Sequence, residues 1–263
     1  MSLEQNKAPV IRDQLMTVYG RKPVMEALVS QQLACQTLHW STSNRMHGTA
    51  AAIYKEAKAQ GLSIREHSRE SLARISKNRK QDQGVALDIL CSNFMSVDAL
   101  IARAGDPSCR VLALDGITNP QNIGMIIRSA TAAGIDGILY PAKGVSSLGP
   151  LVVKASAGTV FHAPVVRCIE LHEGLQALQN AGFCIVTLEG NAQRSAFDFE
   201  ASSGTVFVLG GETDGVSTHT ASLKDVALSI PMAAKIESLN VAVAASLIAF
   251  APLMRSQSAK DAI

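Results

Sequence analysis

Short apolar runs alternate with amphipathic stretches along most of this chain. Residues 37–40, 63–67 and 85–89 read as strands, as do 110–114, 137–140, 165–168, 183–188, 205–209 and 227–230. Between them, a helix with Pro23 in its first turn, 47–60, 68–76, a helix opening at Pro120, and 171–181 carry helical periodicity. Alternation of this kind predicts an α/β protein. The densest stretch is LSIPMAAKIESLNVAVAASLIAF, residues 228–250. Its opening strand must stop at Pro231, because proline cannot donate to a sheet ladder. The helix that follows is apolar nearly all round, which predicts burial inside a domain or against a second subunit. Three polar residues, Glu237, Ser238 and Asn240, stand at its entrance, where they can cap the helix or face a ligand held by free first-turn amides.

A second helix carries a clearer pattern. Asn119 is placed to cap it, Pro120 suits its first position, and Gly134 closes it. Ile123, Ile126, Ile127 and Ala130 form one apolar stripe. Asn122, Met125, Arg128 and Ser129 fall on the opposite side, so Asn122 and Arg128 are expected to project from one polar flank. On periodicity alone, Arg128 reads first as the solvated side of an amphipathic helix.

The chain divides into a polar leader at 1–16, a first domain at 17–95, a turn-rich linker at 96–108, a second domain at 109–255 and a polar tail at 256–263, with everything after Phe250 read as a fraying end. A hydrophobic share of 47% against 17% charged demands a real core. Net charge is only +2, but it is uneven: residues 1–95 hold 13 Lys/Arg against 8 Asp/Glu, the remainder 11 against 14. A basic front joined to a mildly acidic back suits a nucleic-acid grip on a catalytic body, or an ordinary solvated surface. Five widely spaced cysteines without a C-x-x-C pair point away from a metal site or disulfide framework and toward a reducing cytoplasm. No signal peptide opens the chain, and the longest apolar run falls short of the roughly 20 residues that span a bilayer, so no membrane partner is expected.

Three stretches carry the candidate chemistry: 115–130 with Asn122 and Arg128, 210–217 with Gly210, Gly211 and Glu212 after an apolar strand, and 230–246 with Ser238 and Asn240. Glycines after a buried strand let backbone approach a ligand, or simply make a tight turn. Gly144 and Gly149 have phosphate-loop spacing but lack the Lys-Ser/Thr that must follow, and no dinucleotide fingerprint opens a helix. Taken together and in order, the three stretches resemble the signature motifs of the SpoU/TrmH branch of the SPOUT RNA methyltransferases. Asn119, Asp82, Thr213, Ala234 and Ala242 depart from the family's usual residues.

The resemblance implies a trefoil-knotted α/β domain with a mostly parallel sheet behind a small N-terminal α/β sandwich similar to a ribosomal-protein RNA-binding fold. It implies S-adenosyl-L-methionine gripped by backbone near Gly210, Ile230 and Leu239, and Arg128, Asn122, Glu212, Ser238 and Asn240 as the catalytic set. It also implies a homodimer whose subunits share the site. The expected reaction is methyl transfer to a ribose 2′-OH of structured RNA, ribosomal RNA before transfer RNA, with a guanosine as the candidate target. A guanidinium does not give up its proton at working pH, so Arg128 is read as orienting the hydroxyl and stabilising the forming alkoxide, or as working with an RNA phosphate that takes the proton. The alternatives are a transfer-RNA enzyme and an RNA-binding protein that kept the fold and lost catalysis.

Overall fold

The computed structural model describes residues 14–233 and 238–261, for 256–261 through the backbone alone. Two units emerge. One runs to Asn93 and takes in Leu148–Pro150; the other holds Phe94–Ser147 and the chain from Leu151 onward.

The first unit is built from β1 (Leu15–Tyr19), α1 (Arg21–Val29), β2 (Ala34–Ser41), α2 (Gly48–Ala59), β3 (Ser63–His67), α3 (Arg69–Ser76) and β4 (Val85–Leu90). The strands lie in the order β1-β4-β2-β3. β4 is antiparallel to β1 and β2, and β2 is parallel to β3, so the sheet is mixed. Val24, Ala27 and Leu28 of α1 and Ala50, Ile53 and Ala57 of α2 are the buried faces of two helices that pack together. Ser68 caps α3 by accepting from the amide of Ser71 at 3.2 Å.

β1 is a departure from the sequence expectation, which put 15 and 16 in a leader. Only Met16 and Val18 of the strand are buried, so it alternates and shows no apolar run. The leader up to residue 13, and the expected helix-entrance residue Glu237, lie outside the described residues. Asp82, where the family resemblance would put histidine, closes its own loop. Its carboxylate accepts from the amide of Gly84 at 2.9 Å and from Ser76 Oγ at 3.0 Å.

The second unit begins at Phe94, two residues before the expected linker, and takes that linker in. Residues 95 and 96 form β5 (Met95–Ser96), which pairs with a later strand, and Val97–Ile101 form α4. Turn-forming residues at 104–108 hid the burial of Phe94 and Leu100, which fastens this segment to the unit. Then follow β6 (Arg110–Leu114), α5 (Pro120–Ala132), β7 (Gly137–Pro141), α6 (Pro150–Ala155), β8 (Val165–Cys168), α7 (Leu171–Asn180), β9 (Cys184–Leu188), β10 (Thr205–Leu209), α8 (Thr218–Ala221), β11 (Val226–Leu228) and α9 (Val241–Asp261).

Seven strands form one sheet in the order β11-β9-β10-β6-β7-β8-β5, and every pairing is parallel. Val111, Ala113, Val206 and Val208 share a buried cluster with Leu100 of α4 and Leu171, Leu175 and Leu178 of α7. The alternate residues, Leu112, Leu114, Ile138 and Phe207, point to the other face and are buried too. Covered faces explain why these strands read as continuous apolar runs.

α9 ends later than expected. It passes through Pro252 and continues to Asp261 rather than fraying after Phe250. A proline removes one helical hydrogen bond and strains the turn before it. Here the buried Ala251 and a bond from Arg255 Nη1 to the Phe199 carbonyl, at 3.0 Å, hold the next turn in place. Among the described residues no helix is long and apolar enough to cross a membrane.

Candidate active site at the carboxyl edge of the parallel sheet

β6 and β10 are neighbours, but their connections leave in opposite directions. β6 leads through α5 to β7 on one side, and β10 leads through α8 past β9 to β11 on the other. Such a switch point opens a crevice at the carboxyl ends of the strands. A cleft of about 270 Å³ occupies it, lined by Asp115–Asn119 on one wall and by Gly211–Gly215 and Ser217 on the other.

The first wall leads into α5 as its sequence requires. Asn119 Oδ1 accepts from the Gln121 amide at 2.9 Å, Pro120 takes the first helical position, and Gly134 adopts φ +70° just past the end. Gly124 sits where a Cβ would lie 2.4 Å from Ala155 Cβ. Ala155 ends α6 and Ser156, Ala157 and Gly158 form the turn after it, and this close approach needs Ala155 small.

The second wall folds on itself. The amides and carbonyls of Gly211 and Gly215 bond reciprocally at 3.0 Å. A Cβ on Gly210 would stand 2.2 Å from the Gly215 carbonyl carbon, and one on Gly211 would stand 2.7 Å from the Gly116 oxygen. The loop's own backbone therefore demands glycine at 210, and the backbone of the facing wall demands it at 211. Asp115 joins the walls: its Oδ2 accepts from the Ser217 amide at 2.8 Å. Asp115 and Ser217 were missed in the sequence. Both follow strands at this edge, but only the strand order makes that position special.

Three of the eight expected site residues come together here. Asn122 Nδ2 donates to Glu212 Oε1. Asn240 Nδ2 donates to Asn122 Oδ1 and to Glu212 Oε1, each at 3.2 Å. Asn240 Oδ1 accepts from the Ala242 amide at 2.9 Å, so Asn240 also caps α9. One carboxylate, from the second motif stretch, thus gathers side-chain amides from the other two, with the added strength of a charged acceptor.

Arg128 stands apart, and the shared polar flank expected for it and Asn122 is not what the structure has. Asn122 is 3% exposed and faces inward, whereas Arg128 is exposed. Six residues put them about 9 Å apart along the axis and about 120° around it. Arg128 makes no hydrogen bond or ion pair among the described residues. Gln121, Met125 and Arg128 form the exposed stripe of α5. Ser238 is exposed and makes no hydrogen bond among the described residues; the capping role open to it belongs to Asn240.

Gly210, Ile230 and Leu239 share a different property. Among the described residues, the peptide N–H and C=O of each have no hydrogen-bond partner. Leu209 of β10 and Leu228 of β11 are level across β9, so Gly210 and Ile230 emerge two strand spacings apart, about 10 Å. None of these three residues lines the switch-point cleft, which holds Glu212 alone of the expected set.

Residues 110–250 match the SpoU rRNA Methylase family, and residues 17–93 match the family described as RNA 2′-O ribose methyltransferase substrate binding. An uncharacterized tRNA/rRNA methyltransferase of Mycobacterium bovis is 32% identical over 246 residues, which cover 93% of this chain and 76% of the relative. The crystal structure of the SpoU methyltransferase AviRb from Streptomyces viridochromogenes, in complex with AdoMet, superposes with TM-score 0.61 at 25% identity, covering 94% of this chain and 92% of that one. An AdoMet-bound rRNA methyltransferase from Sinorhizobium meliloti shares the fold, with TM-score 0.60 at 22% identity over 92% of this chain and 88% of its own.

Proposed function

The chain belongs to the SpoU rRNA Methylase family, and from that premise we propose that it transfers a methyl group from S-adenosyl-L-methionine to a ribose 2′-OH of structured RNA, ribosomal rather than transfer RNA. The observation that carries this reading is the Asn122–Glu212–Asn240 network, which ties the three motif stretches to one point at the switch edge. Both relatives with AdoMet in their crystal structures support the cofactor. The open peptides of Gly210, Ile230 and Leu239 fit its adenosine, in what the resemblance makes a knotted pocket. When bound, the cofactor supplies a methyl carbon already activated by its sulfonium. The protein's work is then to hold, orient and exclude water.

In this reading Asn122 and Asn240 orient the ribose and the loop, and Glu212 fixes both amides. Ser238, exposed beside them, hydrogen-bonds RNA. Arg128 serves the pocket of a second subunit, since on its own chain it lies a third of a turn around α5 from the network. There it orients the hydroxyl and stabilises the forming alkoxide. Exposed apolar residues support a homodimer: Met125 on α5, and Leu239 and Val243 at the start of α9, which packs along α5. The basic first unit grips the RNA, and the enzyme works in the cytoplasm.

Deleting the gene and mapping ribose methylations names the RNA; a lost site in transfer RNA overturns the ribosomal assignment. Arg128→Ala is expected to abolish methyl transfer while calorimetry finds cofactor affinity intact. Turnover near the wild-type rate sinks its role. A retained fold without catalysis is the other reading, and absence of methyl incorporation into bulk RNA would establish it.

A further inference from the structure

A second cavity, of about 570 Å³, adjoins the switch-point cleft and shares Asp115, Gly116 and Ser217 with it. Its size falls in the range of small-ligand sites, about 300–1,000 Å³. Its other walls are the loop after β7, the first turn of α7 and the start of α8. Two features define its chemistry.

The first is a flat aromatic surface. The rings of His172 and His219 stack with centroids 3.6 Å apart and planes 27° from parallel. His172 Nδ1 donates to the His219 carbonyl at 3.0 Å, which orients the pair. The second is a surplus of acceptors. Lys143 is held by Glu170 at 2.5 Å, so its charge is answered within the wall. Glu173 and Asp115 remain as carboxylates, Glu173 with no hydrogen-bond or ion-pair partner among the described residues. An acidic wall repels phosphate, so an anion is not the occupant.

We infer that this cavity receives a nucleobase of the substrate RNA, stacked on the His172–His219 pair and read along a donor-rich edge by Glu173. Bases splayed out of single-stranded RNA are recognised by aromatic stacking together with hydrogen bonds to their edges. Guanine presents N1–H and N2–H₂ side by side, a bidentate match for one carboxylate; uracil offers a single N–H there. The adjoining cleft lets the ribose of the same or the next nucleotide reach the Glu212 network. The inference rests on the methyltransferase reading and assigns base choice to residues outside its catalytic set.

The test uses the full chain with undermethylated ribosomal RNA and labelled S-adenosyl-L-methionine. His219→Ala is expected to raise KM for RNA at least tenfold with cofactor affinity unchanged, and His219→Phe, which keeps a ring, to restore it. Glu173→Gln is expected to add a second 2′-O-methylated nucleoside to the products seen by mass spectrometry. Wild-type KM and a single product in both variants overturn the inference while leaving the methyltransferase reading intact. If the wild type transfers no methyl to RNA, that reading fails by itself. The cavity is then decided by saturation-transfer NMR with guanosine and uridine: a guanosine signal lost in His219→Ala supports it, and no signal overturns it.

Discussion

Each unit carries a polar network, and the two differ in where the fold puts them. In the first unit the network lies within strands. Thr17 Oγ1 donates to Asp88 Oδ1 at 2.6 Å, His39 Nε2 donates to Asp88 Oδ2 at 2.9 Å, and His39 Nδ1 lies 2.9 Å from His67 Nε2. These residues come from β1, β4, β2 and β3, so the chain of bonds crosses the whole sheet. In the second unit the network joins the ends of elements: the first turn of α5, the loop after β10 and the cap of α9. A network inside a sheet holds strands in register. One at the carboxyl edge of a parallel sheet leaves its acceptors beside a crevice, where a ligand can use them. Position in the fold, more than residue type, separates a structural cluster from a candidate site.

The sharpest way to break this comparison is to remove the carboxylate of each network in turn. Glu212→Ala is expected to lower kcat for methyl transfer by about 10²–10³-fold, the size of effect seen when one positioned polar group is lost. Glu212 is exposed but holds the amide of the buried Asn122, so the stability cost should stay at about 1 kcal/mol, the low end of an unmade buried hydrogen bond. Large destabilisation with normal turnover per folded molecule would make this network structural as well. Asp88→Ala is expected to do the reverse. It strands His39 and Thr17 and costs the fold about 1–3 kcal/mol in denaturant titration. Cofactor affinity measured by calorimetry should not move; if it does, the contrast fails.

Acid gives the mildest test. Burial, the neighbouring His39 and Arg65 hold the His67 pKa below its ordinary value. For Asp88, burial pushes the carboxyl up, but the hydrogen bonds from His39 and Thr17 outweigh it and the net shift is downward. Both shifts favour the deprotonated form in the folded state. Their contribution is therefore complete above the unfolded values and is lost as pH falls through the folded ones. Softening of the first unit should begin below about pH 6.5 with His67 and deepen below about pH 4 with Asp88. His67→Gln should remove the upper part of that slope, and an unchanged melting profile in the variant would show that His67 does not contribute.

Much of the local structure was readable. The boundaries of β3 and β6, the Asn119–Pro120 start of α5 and its Gly134 stop follow from residues a few positions apart, which is the range over which propensity and capping act. β1 escaped because its two buried residues alternate with polar ones, and 95–101 escaped because turn residues follow it. The three motif stretches were identifiable, and Asn122, Glu212 and Asn240 did converge. That Asn122 is buried while Arg128 on the same helix is exposed was not identifiable. A helical wheel says which residues share an angle, not what that angle meets.

By itself, then, the amino-acid order determined an α/β chain, the capped and closed α5, the glycine turn after an apolar strand and the polar cluster ahead of an apolar helix. Tertiary structure decided that β6 and β10 are neighbours whose connections diverge, that Asp115 and Ser217 bridge them, and that Asn240 rather than Ser238 caps α9. The physical reason is separation along the chain. The Asn122–Glu212–Asn240 contacts join residues 28 to 118 positions apart, where no periodicity reaches and only the burial of whole faces selects the partner.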